Sequence, residues 1–290
     1  MSQDLAKLAV VFPGQGVGDA DHHHLVADER PDLLELVRKL TGEEDPFARM
    51  GDGTRFAQPA VYCASLAGYE RLGRPHGDLY AGHSLGEVAA LAAANAVDEL
   101  DGLRIVVARG RLMDAAAAAA PKGGMLAVGG DREQALELAE RSDLGLANEN
   151  SPNQFVLTGA DAQLEAAEAS ARELGLRAKR LAVAGAFHSP AMAAAVEPFR
   201  DYLDAIEFRP PSEPVISCTS AEPFERDPRG LLAAALTRPV RWTDVMRRLH
   251  EEGARRFLDV GPGRVLAGLV RRTLDDVEIE TAREAEVAHA

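Results

Sequence analysis

Hydrophobic and polar positions alternate along this chain in two rhythms. Short apolar runs closed by turn residues predict strands, and longer stretches with apolar positions three and four apart predict helices. Residues 8–12 form the first apolar run, closed by Pro13-Gly14-Gln15-Gly16. Helical spacing follows at 30–40, with Leu33, Leu36, Val37 and Leu40 on one stripe, and at 58–73, with Tyr62, Leu66 and Tyr69 on another. A strand at 78–81 runs into Gly82-His83-Ser84-Leu85-Gly86, and the Ala- and Leu-rich residues 87–94 predict a helix after it. Residues 101–120 predict a further helix, closed by Pro121, Gly123 and Gly124; its alanine run at 115–120 reads as a helical end.

The middle of the chain has its own order. A strand at 125–128 and a helix at 133–141 come first. Strands at 144–147 and 155–158 follow, around an Asn150-Ser151-Pro152-Asn153 turn, then a helix at 160–174 and a strand at 178–183. This β-α-β-β-α-β series is the split pattern of a ferredoxin-like unit and predicts a small subdomain over 124–185. The chain then returns to the larger body through a helix at 190–205, a strand at 214–218, a helix at 243–252, a strand at 256–260 ending in Gly261-Pro262-Gly263, and a helix at 264–273. Strands alternating with helices predict a mostly parallel sheet covered on both faces. The expected fold is α/β: a large α/β-hydrolase-like subdomain from 1–123 and 186–280, the inserted small one, and a flexible tail at 281–290.

Composition narrows the class. A chain of 290 residues, 46% hydrophobic, is long enough to bury a sizeable core. No apolar run is long enough to span a bilayer, and the N-terminus lacks a basic stretch followed by an apolar one. Cys63 and Cys218 are far apart and make no disulfide framework, so a cytoplasmic location is expected. The net charge of −14 argues against broad electrostatic binding to nucleic acid or to anionic membranes. No coiled coil or repeat points beyond a monomer.

Gly82-His83-Ser84-Leu85-Gly86 fits the G-x-S-x-G nucleophile elbow, in which a serine sits on a sharp strand-to-helix turn between residues without bulk. The following helix aims its free N–H groups at that turn, where they can stabilise an oxyanion. His188, in Ala186-Phe187-His188-Ser189, is the best candidate base; it stands where the small subdomain rejoins the large one, and such junctions form clefts. His83 reads as a supporting group beside the nucleophile. Three adjacent histidines, His22-His23-His24, do not converge on one ion, so a solvated loop and no metal are expected there.

Seven motifs now stand in order: Phe12-Pro13-Gly14-Gln15-Gly16, Gly82-His83-Ser84-Leu85-Gly86-Glu87, Arg109-Gly110, Asn150-Ser151-Pro152, Phe187-His188-Ser189, Pro239-Val240-Arg241-Trp242 and Val260-Gly261-Pro262-Gly263. From about residue 8 to residue 273 the chain resembles the malonyl-CoA:acyl carrier protein transacylase family, which includes the acyltransferase domains of fatty-acid and polyketide synthases. The resemblance implies Ser84 as nucleophile and His188 as general base and acid, with the backbone carbonyl of Ala235 orienting the histidine. The family usually has glutamine at that position, and a main-chain carbonyl tolerates the change. It also implies an oxyanion hole from the N–H groups of Gln15 and Leu85. Arg109 is implied to grip the free malonyl carboxylate, since a planar fork binds a carboxylate in two places. Gln58 matches a position near the pocket, though a role at a helix start beside Pro59 also suffices. Phe187 before the histidine, as in relatives that choose malonyl, fills space that a 2-methyl group would need.

The implied activity is ping-pong transfer of malonyl from coenzyme A to a carrier protein, with malonyl-CoA and an acidic acyl carrier protein as partners and no cofactor. Arg177, Lys179, Arg180, Arg247, Arg248, Arg271 and Arg272 are candidates for a docking patch, or form an ordinary solvated face. The alternative is a hydrolase of acyl carriers or acyl-CoA built on the same serine and histidine. A degenerate domain that only docks carriers is disfavoured, because Ser84, His188 and Arg109 are all present.

Overall fold

The computed structural model describes residues 6–16, 22–225 and 227–282. In chain order the elements are β1 (Lys7–Phe12), α1 (His22–Glu29), α2 (Pro31–Thr41), α3 (Thr54–Arg71), β2 (Leu79–Gly82), α4 (Gly86–Ala93) and α5 (Glu99–Ala119). Next come β3 (Gly123–Gly129), α6 (Arg132–Arg141), β4 (Gly145–Ser151), β5 (Gln154–Ala160), α7 (Asp161–Glu173) and β6 (Arg177–Arg180). The chain continues through α8 (Ala193–Asp204), β7 (Val215–Ile216), α9 (Arg229–Ala234), α10 (Trp242–Glu251), β8 (Ala254–Asp259), α11 (Val265–Thr273) and β9 (Glu278–Thr281).

Two sheets result. The larger is parallel throughout, in the order β7-β2-β1-β8-β9; Val11 of the central strand pairs with Ala81 on one side and Asp259 on the other. The pleat divides its side chains. Leu8, Val10, Phe12 and Tyr80 join the core built with α3, α4 and α5, while Ala9, Val11, Leu79 and Ala81 meet Trp242, Val245 and Met246 of α10 and Leu266, Leu269 and Val270 of α11. The smaller sheet, β4-β5-β3-β6, is antiparallel and keeps a separate core beneath α6 and α7, centred on Leu126, Leu138, Leu157 and Leu164. The α/β expectation and the split β-α-β-β-α-β order both hold.

Several local expectations change. His22, His23 and His24 open α1 in place of a solvated loop: His22 is buried, and His23 lies 3.2 Å from Asp45 and stacks on Phe47. With only His22 and Val26 buried, that helix carries no apolar stripe to reveal it. Helix α3 starts at Thr54, so Gln58 is a fully buried interior residue and marks no helix start. The same helix is buried almost all round, a property of helices inside a larger body. Strand β4 runs on through Asn150 and Ser151, leaving Pro152 and Asn153 as the turn. Of the expected tail, Thr281 closes β9 and Ala282 is buried, and residues 283–290 lie outside the described residues.

Candidate active site

The site forms at the C-terminal ends of adjacent parallel strands, where helix starts and loops converge. Ser84 sits between β2 and α4 with φ of 52°, a left-handed conformation that costs a residue with a side chain. The flanking glycines make the turn possible: a Cβ on Gly82 would fall inside the backbone of Gly86. The N–H groups of Gly86, Glu87 and Val88 turn back onto the carbonyls of His83, Ser84 and Leu85. The N–H of Leu85 enters none of those bonds, as expected for a first-turn donor.

His188 lies 104 residues further on, also left-handed at φ 56°. Its Nδ1 donates to the carbonyl of Ala235 at 2.8 Å and of Arg238 at 3.2 Å. Carbonyls only accept, so they fix the proton on Nδ1 and leave Nε2 free to accept. Nε2 stands 2.9 Å from Ser84 Oγ. Burial, and then the nearby Arg109 charge, push the imidazole pKa down to about 3, so the ring is neutral near pH 7. Among the described residues no aspartate takes part; the carbonyls do the orienting.

Arg109 reaches the same serine from α5. Its Nη2 is 3.2 Å from Ser84 Oγ and its Nη1 donates to Gln58 Oε1 at 2.8 Å. It is buried, and among the described residues no carboxylate comes within ion-pair distance. Burial lowers its pKa to about 10, with the field of Glu87 opposing that shift, and it stays a cation at neutral pH. A buried guanidinium beside a serine hydroxyl and without an ion pair is suited to an incoming anion.

The surrounding groups hold this arrangement. Gln58 Nε2 donates to Thr54 Oγ at 2.8 Å, and Thr54 Oγ donates to Gln15 Oε1 at 2.5 Å, so Gln15, Gln58 and Arg109 are joined to Ser84 in one network. His83 is not aimed at the serine; its Nε2 meets Asn150 Oδ1 at 2.9 Å and its ring packs against Trp242. Glu87 Oε1 accepts from Ser217 Oγ and from the Cys218 N–H, at 2.9 and 2.7 Å, pinning α4 to the end of β7; burial raises its pKa to about 7. Phe187 is buried in the larger core, against Gly185.

Sequence reasoning found Ser84, His188, Arg109, Gln58, Gln15, Leu85 and Ala235, and the structure brings them to one place. It missed Thr54, the Arg238 carbonyl and the Asn150 partner of His83. Thr54 stands four residues before Gln58, on the same helical face, a signal hidden once the helix was started at 58. Among the described residues no cluster of ligands could hold a metal ion, and no helix is long and apolar enough to cross a membrane.

Comparison with known proteins shows the family. A family model described as acyl transferase domain matches residues 22–289. The chain is similar to the polyketide biosynthesis malonyl CoA-acyl carrier protein transacylase PksC of Bacillus subtilis (strain 168), with 37% identity over 93% of this chain and 98% of that protein. It is 36% identical to the polyketide biosynthesis protein PksE of the same organism, covering 93% of this chain but 37% of that protein. Among solved structures, a malonyl CoA-acyl carrier protein transacylase from Coxiella burnetii superposes with a TM-score of 0.87 at 29% identity, covering 98% of this chain and 96% of the other. The complex PlMCAT:AntF, a type II PKS acyl-carrier protein with its malonyl-transacylase, matches with a TM-score of 0.84 at 31% identity, covering 95% of this chain and 96% of the other.

Proposed function

This chain belongs to the acyl transferase domain family, and on that premise we propose that it moves a malonyl group from malonyl-CoA to the phosphopantetheine thiol of an acyl carrier protein, a step of fatty-acid or polyketide synthesis. The observation that carries the reading is the buried Arg109 beside Ser84 Oγ, with a neutral His188 on the other side of the same oxygen. Arg109 binds the free carboxylate of the donor and so sets the thioester carbonyl above the serine. Ser84 attacks that carbonyl and His188 Nε2 takes the hydroxyl proton. The N–H groups of Gln15 and Leu85 receive the oxyanion. The tetrahedral intermediate collapses, coenzyme A leaves as the thiol with the proton from His188, and malonate stays as a serine ester. In the second half the carrier thiol gives its proton to His188 and attacks the ester, and Ser84 recovers its hydrogen.

The carboxylate does a second thing. Burial is the main reason that His188 is a weak base, and the Arg109 charge adds to it; a carboxylate bound to Arg109 offsets that second contribution, so the base strengthens in part once a donor is in place. Phe187 supports malonyl over methylmalonyl, a preference worth about 1–3 kcal/mol for one methyl group. One copy of the chain supplies every reacting group, so a monomer suffices. Both cysteines are buried and unpaired, which suits the cytoplasm.

The carrier would dock on a basic patch. Of the seven candidate cations, Arg180, Arg247 and Arg248 are held in ion pairs with Asp161, Asp244 and Glu222. Arg177, Lys179, Arg271 and Arg272 are exposed and in no ion pair among the described residues. Arg177, Lys179 and Arg272 share one hollow of about 370 Å³ with Gln154, which accepts from Arg272 at 3.0 Å. Gln154 opens β5, the second strand of the hairpin whose first strand carries Asn150, the partner of His83.

Intact-mass measurement after brief incubation with malonyl-CoA, methylmalonyl-CoA and acetyl-CoA, followed by holo carrier protein, tests the proposal. We expect a malonyl adduct that Ser84→Ala abolishes and that moves to the carrier. Release of free malonate and coenzyme A with no lasting adduct makes the protein a hydrolase instead.

A further inference from the structure

The network between Arg109 and Gln15 has a direction. A guanidinium has no acceptor, so Arg109 Nη1 must donate to Gln58, which fixes that contact as the amide oxygen. The Gln58 nitrogen is then the atom facing Thr54, and it donates at 2.8 Å. With its oxygen taken as acceptor, the Thr54 hydroxyl has its hydrogen left for Gln15 Oε1, at 2.5 Å. The orientation of Gln58 therefore follows from the Arg109 end, and the Thr54 hydrogen carries the line on to Gln15. At the other end is the residue whose backbone N–H is assigned to the oxyanion.

Thr54 is placed with little freedom. It is the first residue of α3, 2% exposed, and its N–H is held by Asp114 Oδ1 of α5 at 3.1 Å. Gln15 by contrast is exposed and lies in the turn after β1, outside any strand or helix. The hydroxyl of Thr54 thus joins a rigid, buried face to an exposed loop. A fully buried threonine could be present for packing alone, but packing requires no hydrogen bond from it to a loop 39 residues away.

We propose that Thr54 is a positioning residue that ties the carboxylate grip at Arg109 to the Gln15 turn, holding half of the oxyanion hole in place for a donor whose carboxylate is bound. The inference rests on the malonyl-transfer reading and adds to it a residue that touches neither substrate nor reacting atoms. Because the N–H of Gln15 matters most when charge develops on the carbonyl oxygen, loosening it acts on turnover more than on binding.

Thr54→Val keeps the shape and removes both hydrogen bonds, and Thr54→Ser keeps the hydroxyl. Steady-state malonyl transfer to holo carrier protein is measured for the wild type and both variants, with thermal unfolding of each. The expected result is a kcat about tenfold lower for Thr54→Val with KM within about threefold, and recovery to within about threefold for Thr54→Ser. An unchanged kcat in Thr54→Val, a change confined to KM, or a Thr54→Ser variant as slow as Thr54→Val would overturn the proposal. Losses that follow unfolding temperature across both variants would overturn it too, as a packing role. A wild-type protein that forms no malonyl ester at Ser84 would overturn the underlying reading, and the positioning role with it.

Discussion

The Gly82–Gly86 turn and the segment ending in His188 present Ser84 and His188 in the same left-handed backbone conformation, but different forces hold them there. The serine turn is closed by its own neighbours: two glycines that let backbone meet backbone, and carbonyls of the turn itself. The histidine is held from outside, by two main-chain carbonyls 47 and 50 residues away. One half of the site is local chemistry written in five adjacent residues. The other is geometry supplied by the fold, in which the supporting side chains are irrelevant.

That contrast can be broken at either half. The largest effect is expected on removing the base: His188→Ala should slow malonyl-ester formation about 10³–10⁴-fold while leaving the Ser84 turn intact, as read by single-turnover mass measurement. Next, Gly82→Ala should act on folding before chemistry, lowering stability by about 3 kcal/mol or more in denaturant titration, because the new Cβ has no space. Glu87→Gln sharpens the comparison through pH. The Glu87 carboxyl is raised from 4.5 to about 7, so its contribution is complete below 4.5 and is lost as pH rises through 7. Wild type should therefore lose up to about 3 kcal/mol relative to Glu87→Gln between those values, measured as the difference in unfolding free energy at pH 4.5 and 7.5. The smallest effect belongs to Ala235→Ser: only the carbonyl is used, so the rate should stay within about threefold in the same transfer assay.

The difference also explains what could be read in advance. Strand, turn and helix around Ser84 are contiguous, and the motif announces them. The parallel sheet followed from alternating apolar runs and helices, and the small sheet from its order of elements. Ala235 was reached through family resemblance alone, since an alanine carbonyl has no signature in a sequence. Arg238 was missed for the same reason. Thr54 was missed because Pro59 read as a helix start, when the helix had begun five residues earlier and carried the proline inside. Helix α1 and strand β9 were hidden by polar composition: three histidines open the first, and Glu278-Ile279-Glu280-Thr281 alternates with charge on a sheet edge.

The strand order of the large sheet has a consequence for biosynthesis. β1 is synthesised before the other four strands of its sheet and becomes the central one, yet one of its two neighbours is β8, which begins at Ala254. At typical translation rates of about 5–20 residues per second, that edge of β1 waits roughly 10–50 s for its partner. Through that interval an apolar strand lacks one of its two pairing partners and keeps an unpaired edge, so dilution of the 290-residue chain from denaturant should give less aggregation than dilution of a fragment ending before Ala254.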